Sequence, residues 1–155
     1  MKSDKPYLFS TRMKTYTFAK PEHLCLKSEI ETLFGAGSSS LTIYPLRATF
    51  RILPYAGHGP RVKVLLSVAK RKLRHAVDRN RAKRQLREAY RLQKHLLINR
   101  LPEGTALHVA FIWLSEKPVP TARVAGRMET ILLHMAERVL KNTRTTSAEP
   151  SAAKP

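Results

Sequence analysis

The stretch from His75 to Leu97 predicts one long helix with an apolar side and a cationic side. At 100° per residue, the apolar side carries Ala82, Leu86, Ala89, Tyr90, Leu96 and Leu97. The adjoining side carries Asn80, Lys83, Arg84, Arg87, Arg91 and Lys94. A helix of this kind packs one side against a core and leaves the other exposed. The chain is therefore predicted to form a folded domain with this helix at its surface.

Three apolar stretches predict strands. Residues 46–52 alternate apolar and polar side chains, which is typical of a strand with one buried face. Residues 62–68 and 107–113 are apolar on much of both faces, which is typical of strands inside a sheet. Pro45 marks either the start of the first strand or a break in a longer one that includes Leu41 to Tyr44.

Two further helices are predicted. Ser28 and Glu31 have the spacing of a capping box, which predicts a short helix from Ser28 through Phe34. A last helix is predicted to begin with Thr121 as its N-cap residue. Its core-facing stripe consists of Val124, Met128, Ile131, Leu132, Met135 and Val139.

Composition predicts the domain boundaries. Residues 1–15 are expected to be a flexible basic segment and residues 142–155 a disordered tail, around one domain of residues 16–141. The single cysteine, Cys25, cannot form an internal disulfide. The sequence shows no secretory signal and no apolar run of membrane-spanning length. These features favour a cytoplasmic protein with no membrane partner.

The charge of the chain requires an anionic partner. It carries 29 Lys and Arg against 11 Asp and Glu, a formal net charge of +18. On the long helix, Lys83 lies four residues from both Arg79 and Arg87, and each like-charge pair costs about 0.2 to 0.5 kcal/mol in isolation. Solvated helix faces usually interleave Glu with Lys instead. The pattern therefore indicates binding to the phosphates of a nucleic acid, which arginine contacts with two hydrogen bonds.

Aromatic residues are candidates for stacking on unpaired bases, which would favour RNA or single strands. The candidates are Phe18, Phe34, Phe50 and Tyr90. The alternative is that these rings are core residues, which is the commoner fate of an aromatic side chain.

Catalysis by the protein itself is not favoured. Metal-assisted hydrolysis of a phosphodiester needs clustered carboxylates. Asp78 and Glu88 instead lie about 15 Å apart along the helix, and the other acids are scattered. The six histidines show no metal-ligand spacing. The sequence therefore predicts a nucleic-acid-binding protein with no catalytic residue and no metal site of its own.

One segment resembles the signature of the bacterial ribonuclease P protein subunit. Residues 76–91 read AVDRNRAKRQLREAYR and hold an Arg-Asn-Arg motif at residues 79–81, followed by Lys83-Arg84 and Arg87-Glu88. Residues 65–71 resemble the strand and basic corner that lead into this helix in the family. The resemblance extends over about residues 16–140.

The resemblance implies both a fold and a function. The fold is α+β, an αβββαβα two-layer sandwich with a central mixed sheet and a left-handed βαβ crossover, a rare hand for such a connection. The function is that of the protein subunit of ribonuclease P, a ribonucleoprotein endonuclease that removes the 5′ leader of precursor tRNA. The implied partners are the catalytic RNA and precursor tRNA, with no obligate protein partner. The RNA performs the hydrolysis and binds most of the Mg²⁺.

The resemblance and the adjoining basic residues also indicate which side chains contact RNA. They are Lys70, Arg71, Lys72, Arg79, Asn80, Arg81, Lys83, Arg84, Arg87 and Arg91. The leader is expected in a cleft between the sheet and the basic helix, with Phe18, Phe34, Phe50 and Tyr90 as candidate cleft residues. Two alternatives are a structural RNA-binding protein of the ribosomal type and a self-sufficient protein nuclease.

Overall fold

The computed structural model describes residues 18–152, with side chains through residue 143, so the predicted flexible segment 1–15 lies outside the described residues. The helices are α1 (Lys27–Leu33), α2 (Ala76–Gln93), α3 (His95–Ile98) and α4 (Thr121–Ala152). The strands are β1 (Ser39–Ile43), β2 (Leu46–Pro54), β3 (Val62–Ser67) and β4 (Thr105–Trp113). A 3₁₀ turn, Lys20–Glu22, precedes α1. None of the helices in this part of the chain is long and apolar enough to cross a membrane.

The four strands form one mixed sheet in the order β1-β2-β4-β3. β2 pairs antiparallel with both β1 and β4, whereas β3 runs parallel to β4. Parallel neighbours need a long crossover connection, which α2 and α3 supply here. Tyr44 and Pro45 form the turn between β1 and β2, so Pro45 precedes a strand and does not interrupt one. The hand of the crossover stays a prediction.

The main core lies between one face of the sheet and helices α2 and α4. Alternate residues of β2 and β4, among them Phe50, Phe111 and Trp113, point into it. The predicted stripe of α4 is confirmed: its six residues, Val124, Met128, Ile131, Leu132, Met135 and Val139, are all buried. α2 buries Ala82, Leu86, Ala89 and Tyr90, which confirms that one side of this helix packs against the core.

A buried glutamine ties α2 to the start of α4. Gln85 donates hydrogen bonds from Nε2 to the Val119 carbonyl at 2.8 Å and to the Thr121 hydroxyl at 3.0 Å. Thr121 is the first residue of α4 and not its N-cap. The position of α2 over the sheet is therefore fixed by polar contacts as well as by apolar packing.

Helix α1 packs on the opposite face of the sheet and adds a partial third layer to the predicted two. Leu24 and Leu33 form a second small core with Ala110 of β4, and Ile30 and Leu65 pack beside them. Leu65 and Ala110 alternate with residues of the main core, so the central strands are covered on both faces, as their composition predicts.

The predicted capping box at Ser28 is wrong. α1 begins at Lys27, and its N-cap residue, Leu26, makes no side-chain hydrogen bond. Ser28 therefore lies inside the first turn, where its carbonyl accepts a hydrogen bond from the Thr32 hydroxyl at 2.8 Å. The helix is held at its other end, where Arg51 donates to the Ala36 carbonyl at 2.7 Å.

One helix end differs from the prediction. The helix predicted from His75 to Leu97 is divided at Lys94, whose side chain turns inward to an ion pair. α4 has helical backbone to Ala152. The predicted domain boundary at residue 141 and the predicted disorder of residues 142–155 stay predictions.

Candidate nucleic-acid interface

The outward side of α2 is a cationic surface. Since Ala82, Gln85, Leu86, Ala89 and Tyr90 are buried on one side of the helix, the opposite side faces away from the core. We define the basic face of α2 as its exposed residues Asn80, Arg81, Lys83, Arg84 and Arg87. Lys83 and Arg87 lie one helical turn apart, so an anion bound at this face relieves their repulsion.

Arg91 continues this surface but already has an anionic partner. Its Nε and Nη2 donate to the two carboxylate oxygens of Glu88, at 2.9 and 2.8 Å. This hydrogen bonding by Arg91 holds the pKa of Glu88 below its ordinary value. Arg91 belongs to the predicted RNA-binding set, but we leave it out of the basic face because its charge is paired.

The first arginine of the Arg-Asn-Arg motif points back toward the chain that precedes it. Arg79 is partly buried, and its Nη1 donates to the carbonyls of Leu73 and Arg74, at 2.9 and 2.8 Å. Arg81, the other arginine of the motif, is exposed. The two arginines of the motif therefore have different surroundings, which a helical projection does not reveal.

The connection between β3 and α2 supplies further cations. We define residues 68–75 as the corner. Lys70 and Arg71 are exposed there, and Lys72 is partly exposed. A hollow of about 390 Å³ lies against the corner and is lined by Arg71, Lys72, Leu73, Arg74, His75, Asp78, Glu116 and Pro118. Because the corner leads directly into α2, its cations extend the basic face toward the end of β3.

A groove runs between α2 and the edge of the sheet. Its volume is about 260 Å³, and it is lined by His23, Leu24, Cys25, Val64, Leu65, Leu66, Lys83 and Arg87. Lys83 and Arg87 belong to the basic face, whereas the other residues come from β3 and the segment before α1. None of these eight described residues carries a carboxylate, so a phosphate in the groove meets cations without a competing acid.

The four candidate cleft residues fall into two groups. Phe50 and Tyr90 are 1% and 0% exposed and belong to the main core. This corrects their prediction as cleft residues, because a buried ring offers no face to a base. Phe34 is 50% exposed at the C-terminal end of α1. Phe18 is partly buried and stacks on His23 of the groove, with ring centroids 4.1 Å apart.

An ion pair that the sequence did not predict fastens the segment before α1 to the end of α2. Lys94 Nζ donates to Glu22 Oε1 at 2.6 Å, and the two side chains are only 8% and 13% exposed. Glu22 also accepts the Ala19 amide at 2.9 Å, which closes the 3₁₀ turn. Burial and, to a smaller extent, the charge of Glu22 raise the pKa of Tyr90 above its ordinary value. Because its charge is paired with Glu22, Lys94 anchors the groove wall and is not part of the cationic side of α2.

Four carboxylates of the described residues, those of Glu22, Glu29, Glu31 and Glu88, lie within ion-pair distance of a lysine or arginine. Glu29 lies 3.6 Å from Lys63 and 3.8 Å from His108, in addition to the pairs that Glu22 and Glu88 form. No group of three or more His, Cys, Asp or Glu side chains in residues 18–143 is arranged to hold a metal ion.

The mixed sheet, the open basic face and the adjoining groove define an α+β protein of the nucleic-acid-binding class. A family model described as Ribonuclease P matches residues 18–135. A ribonuclease P protein component of Porphyromonas gingivalis is 40% identical over 133 residues, which cover 83% of this chain and 93% of that protein. One of Chlorobaculum tepidum is 33% identical over 128 residues, covering 75% and 78%. The chain therefore belongs to the ribonuclease P protein family, whose known role is processing of the tRNA 5′ leader.

Solved structures agree on the fold. The RNase P protein of Staphylococcus aureus has a TM-score of 0.56 and 19% identity, covering 72% of this chain and 92% of that chain. The RNase P protein of Thermotoga maritima has a TM-score of 0.55 and 22% identity, covering 73% and 96%. These similarities confirm the predicted α+β fold class with its central mixed sheet.

Proposed function

We propose that this chain binds the catalytic RNA of ribonuclease P and the 5′ leader of precursor tRNA, and so assists endonucleolytic removal of the leader. The observation that carries the proposal is the basic face of α2, whose exposed cations Lys83, Arg84 and Arg87 crowd one side of a helix that is packed on the core. Crowding of this kind is offset by phosphates of a bound nucleic acid.

The two parts of the interface suit two kinds of RNA. The basic face and the corner form a continuous cationic surface for the backbone of a folded RNA, where arginine makes paired hydrogen bonds to phosphate. The groove has apolar walls beside its cations, which suits a single strand such as the leader. Lys83 and Arg87 line the groove and also belong to the basic face, so they connect the two sites.

In this proposal the RNA performs the hydrolysis and binds most of the Mg²⁺. The protein contributes fixed positive charge, which lowers the repulsion between the catalytic RNA and its substrate, so that the complex assembles with less Mg²⁺. The proposed location is the cytoplasm.

Reconstitution tests the proposed function. The purified chain is mixed with a bacterial ribonuclease P RNA and a 5′-extended tRNA at a Mg²⁺ concentration too low for the RNA alone. We expect a single cut at the mature 5′ end when protein and RNA are both present, and none with protein alone. Cleavage by nuclease-treated, RNA-free protein would support the self-sufficient nuclease. Tight RNA binding without any gain in cleavage would support the structural, ribosomal-type alternative.

A second prediction concerns Phe34. If its exposed ring stacks on a leader base, Phe34→Leu keeps most of the apolar volume and loses about 1 to 3 kcal/mol of binding per stacked base. We expect the loss for tRNA that carries a 5′ leader and not for mature tRNA, measured with the catalytic RNA present.

Phe50→Leu is the matched control, because the same substitution there alters a buried ring. It should lower the melting temperature and leave the ratio of the two affinities unchanged. The stacking role of Phe34 is refuted if Phe34→Leu also leaves that ratio unchanged.

A further inference from the structure

The side chain of Arg79 is hydrogen-bonded to the backbone just before α2. The corner is organised around the Ala69 carbonyl, which accepts the amides of Lys72 and Leu73 at 3.0 and 3.2 Å. The Leu73 side chain is buried and anchors the corner in the main core. Nη1 of Arg79 donates hydrogen bonds to the carbonyls of Leu73 and Arg74.

These hydrogen bonds have a physical consequence for the corner. The hydrogen bond to the Leu73 carbonyl is partly buried and the one to the Arg74 carbonyl is exposed. A bond from a charged donor is stronger than one from a neutral group. One guanidinium holds two consecutive carbonyls and so fixes the peptide units on either side of Arg74. One hollow beside the first turn of α2 is lined by Arg71, Lys72 and Arg74. The two hydrogen bonds that Arg79 donates, which we call the brace, therefore control where these cations lie.

We propose that Arg79 is a positioning residue, which holds the corner in its RNA-binding shape in the free protein and is not itself a main phosphate ligand. The inference rests on the proposed RNA-binding function. An ordered corner favours RNA binding, because the entropy of ordering it does not have to be lost when RNA binds. A phosphate ligand and a positioning residue then differ in how their loss depends on salt.

The test compares Arg79→Met with Arg84→Met, which removes an equal charge from the basic face. In the free protein, we expect the amides of Lys72 and Leu73 to exchange with solvent at least about tenfold faster in Arg79→Met, because small local openings control such exchange. Arg84→Met should leave these amides unchanged. Amides of β2 and β4 should exchange as before in both variants, which shows that the sheet is intact.

Binding to ribonuclease P RNA is then measured against salt concentration. Losing a positioning residue should weaken binding about 5- to 30-fold at every salt concentration, because one residue must then be ordered on binding. The slope of log K on log salt should stay unchanged. Losing a phosphate ligand should lower that slope by about 0.7 to 0.9, which is the result expected for Arg84→Met.

A lower slope for Arg79→Met with unchanged exchange at the corner would show that Arg79 is a phosphate ligand and overturn the proposal. Unchanged exchange together with unchanged affinity would overturn it as well. Arg79→Gln, which keeps a neutral donor, covers the case in which Arg79→Met does not fold: its slope should be that of the parent, with intermediate exchange at the corner. The exchange measurement needs no RNA, so it judges the brace even if the chain fails to support ribonuclease P activity.

Discussion

Lys94→Met should lower the free energy of unfolding by about 3 to 5 kcal/mol, the usual result of leaving one member of a buried ion pair without its partner. Glu22 would remain with a charge that is 13% exposed and has lost its hydrogen bond of 2.6 Å. Methionine keeps the length of the lysine stem, so the loss reports the charge and not a cavity. Urea unfolding measures it.

The double variant Glu22→Gln/Lys94→Met separates this cause from a packing defect. Glutamine keeps an oxygen for the Ala19 amide but carries no charge, so we expect most of the lost stability to return. Lys27→Met removes one member of an exposed pair with Glu31, in which the side chains are 91% and 67% exposed. It should have no measurable effect. A Lys94→Met protein as stable as Lys27→Met would show that the Glu22–Lys94 pair does not anchor the groove wall.

Arg84→Gln/Arg87→Gln should weaken binding to ribonuclease P RNA about 25- to 60-fold at about 0.1 M salt, if each arginine neutralises one phosphate. The slope of log K on log salt should fall by about 1.4 to 1.8, since each lost contact removes about 0.7 to 0.9. The melting temperature should stay the same or rise slightly, because a like-charge repulsion with Lys83 is removed.

Arg123→Gln/Arg127→Gln provides the matched control. These two arginines are also exposed and one helical turn apart, but they lie on α4 and not on the basic face. The control makes the same change in net charge, so equal loss in both double variants would mean that overall charge, and not the basic face, determines affinity. A slope unchanged by Arg84→Gln/Arg87→Gln would place these side chains in solvent in the complex.

Patterns within one element were readable from the sequence. The apolar spacing of α4 and the two-sided character of α2 depend only on helical geometry and are confirmed. The same reasoning already indicated that two aromatic residues are buried. Phe50 shares its strand parity with Leu46 and Ala48, and Tyr90 shares its helix side with Leu86. Both are buried accordingly, so the local pattern was a better guide than their candidacy for a cleft.

Contacts between side chains that look alike in sequence were not readable. Four cations fall within the single helix predicted from His75 to Leu97: Arg79, Arg84, Arg91 and Lys94. In the structure the first binds carbonyls, the second is exposed, the third pairs with Glu88 and the last is buried. The partners of Arg79 and Lys94 depend on the path of the corner and on the segment before α1. Such paths are set by tertiary packing, which helical periodicity does not describe.

The position of β4 in the sheet determines when the subunit can fold as it is made. β4 is the last strand of the described residues, yet it lies between β2 and β3 and pairs with both. A nascent chain therefore carries the hairpin of β1 and β2, the unpaired β3 and the arginine-rich α2 before the strand that joins them has left the ribosome. Because pairings distant in sequence must wait for their later partner, the sheet closes in one late step. The proposed RNA-binding surface therefore acquires its support only after β4 has been made.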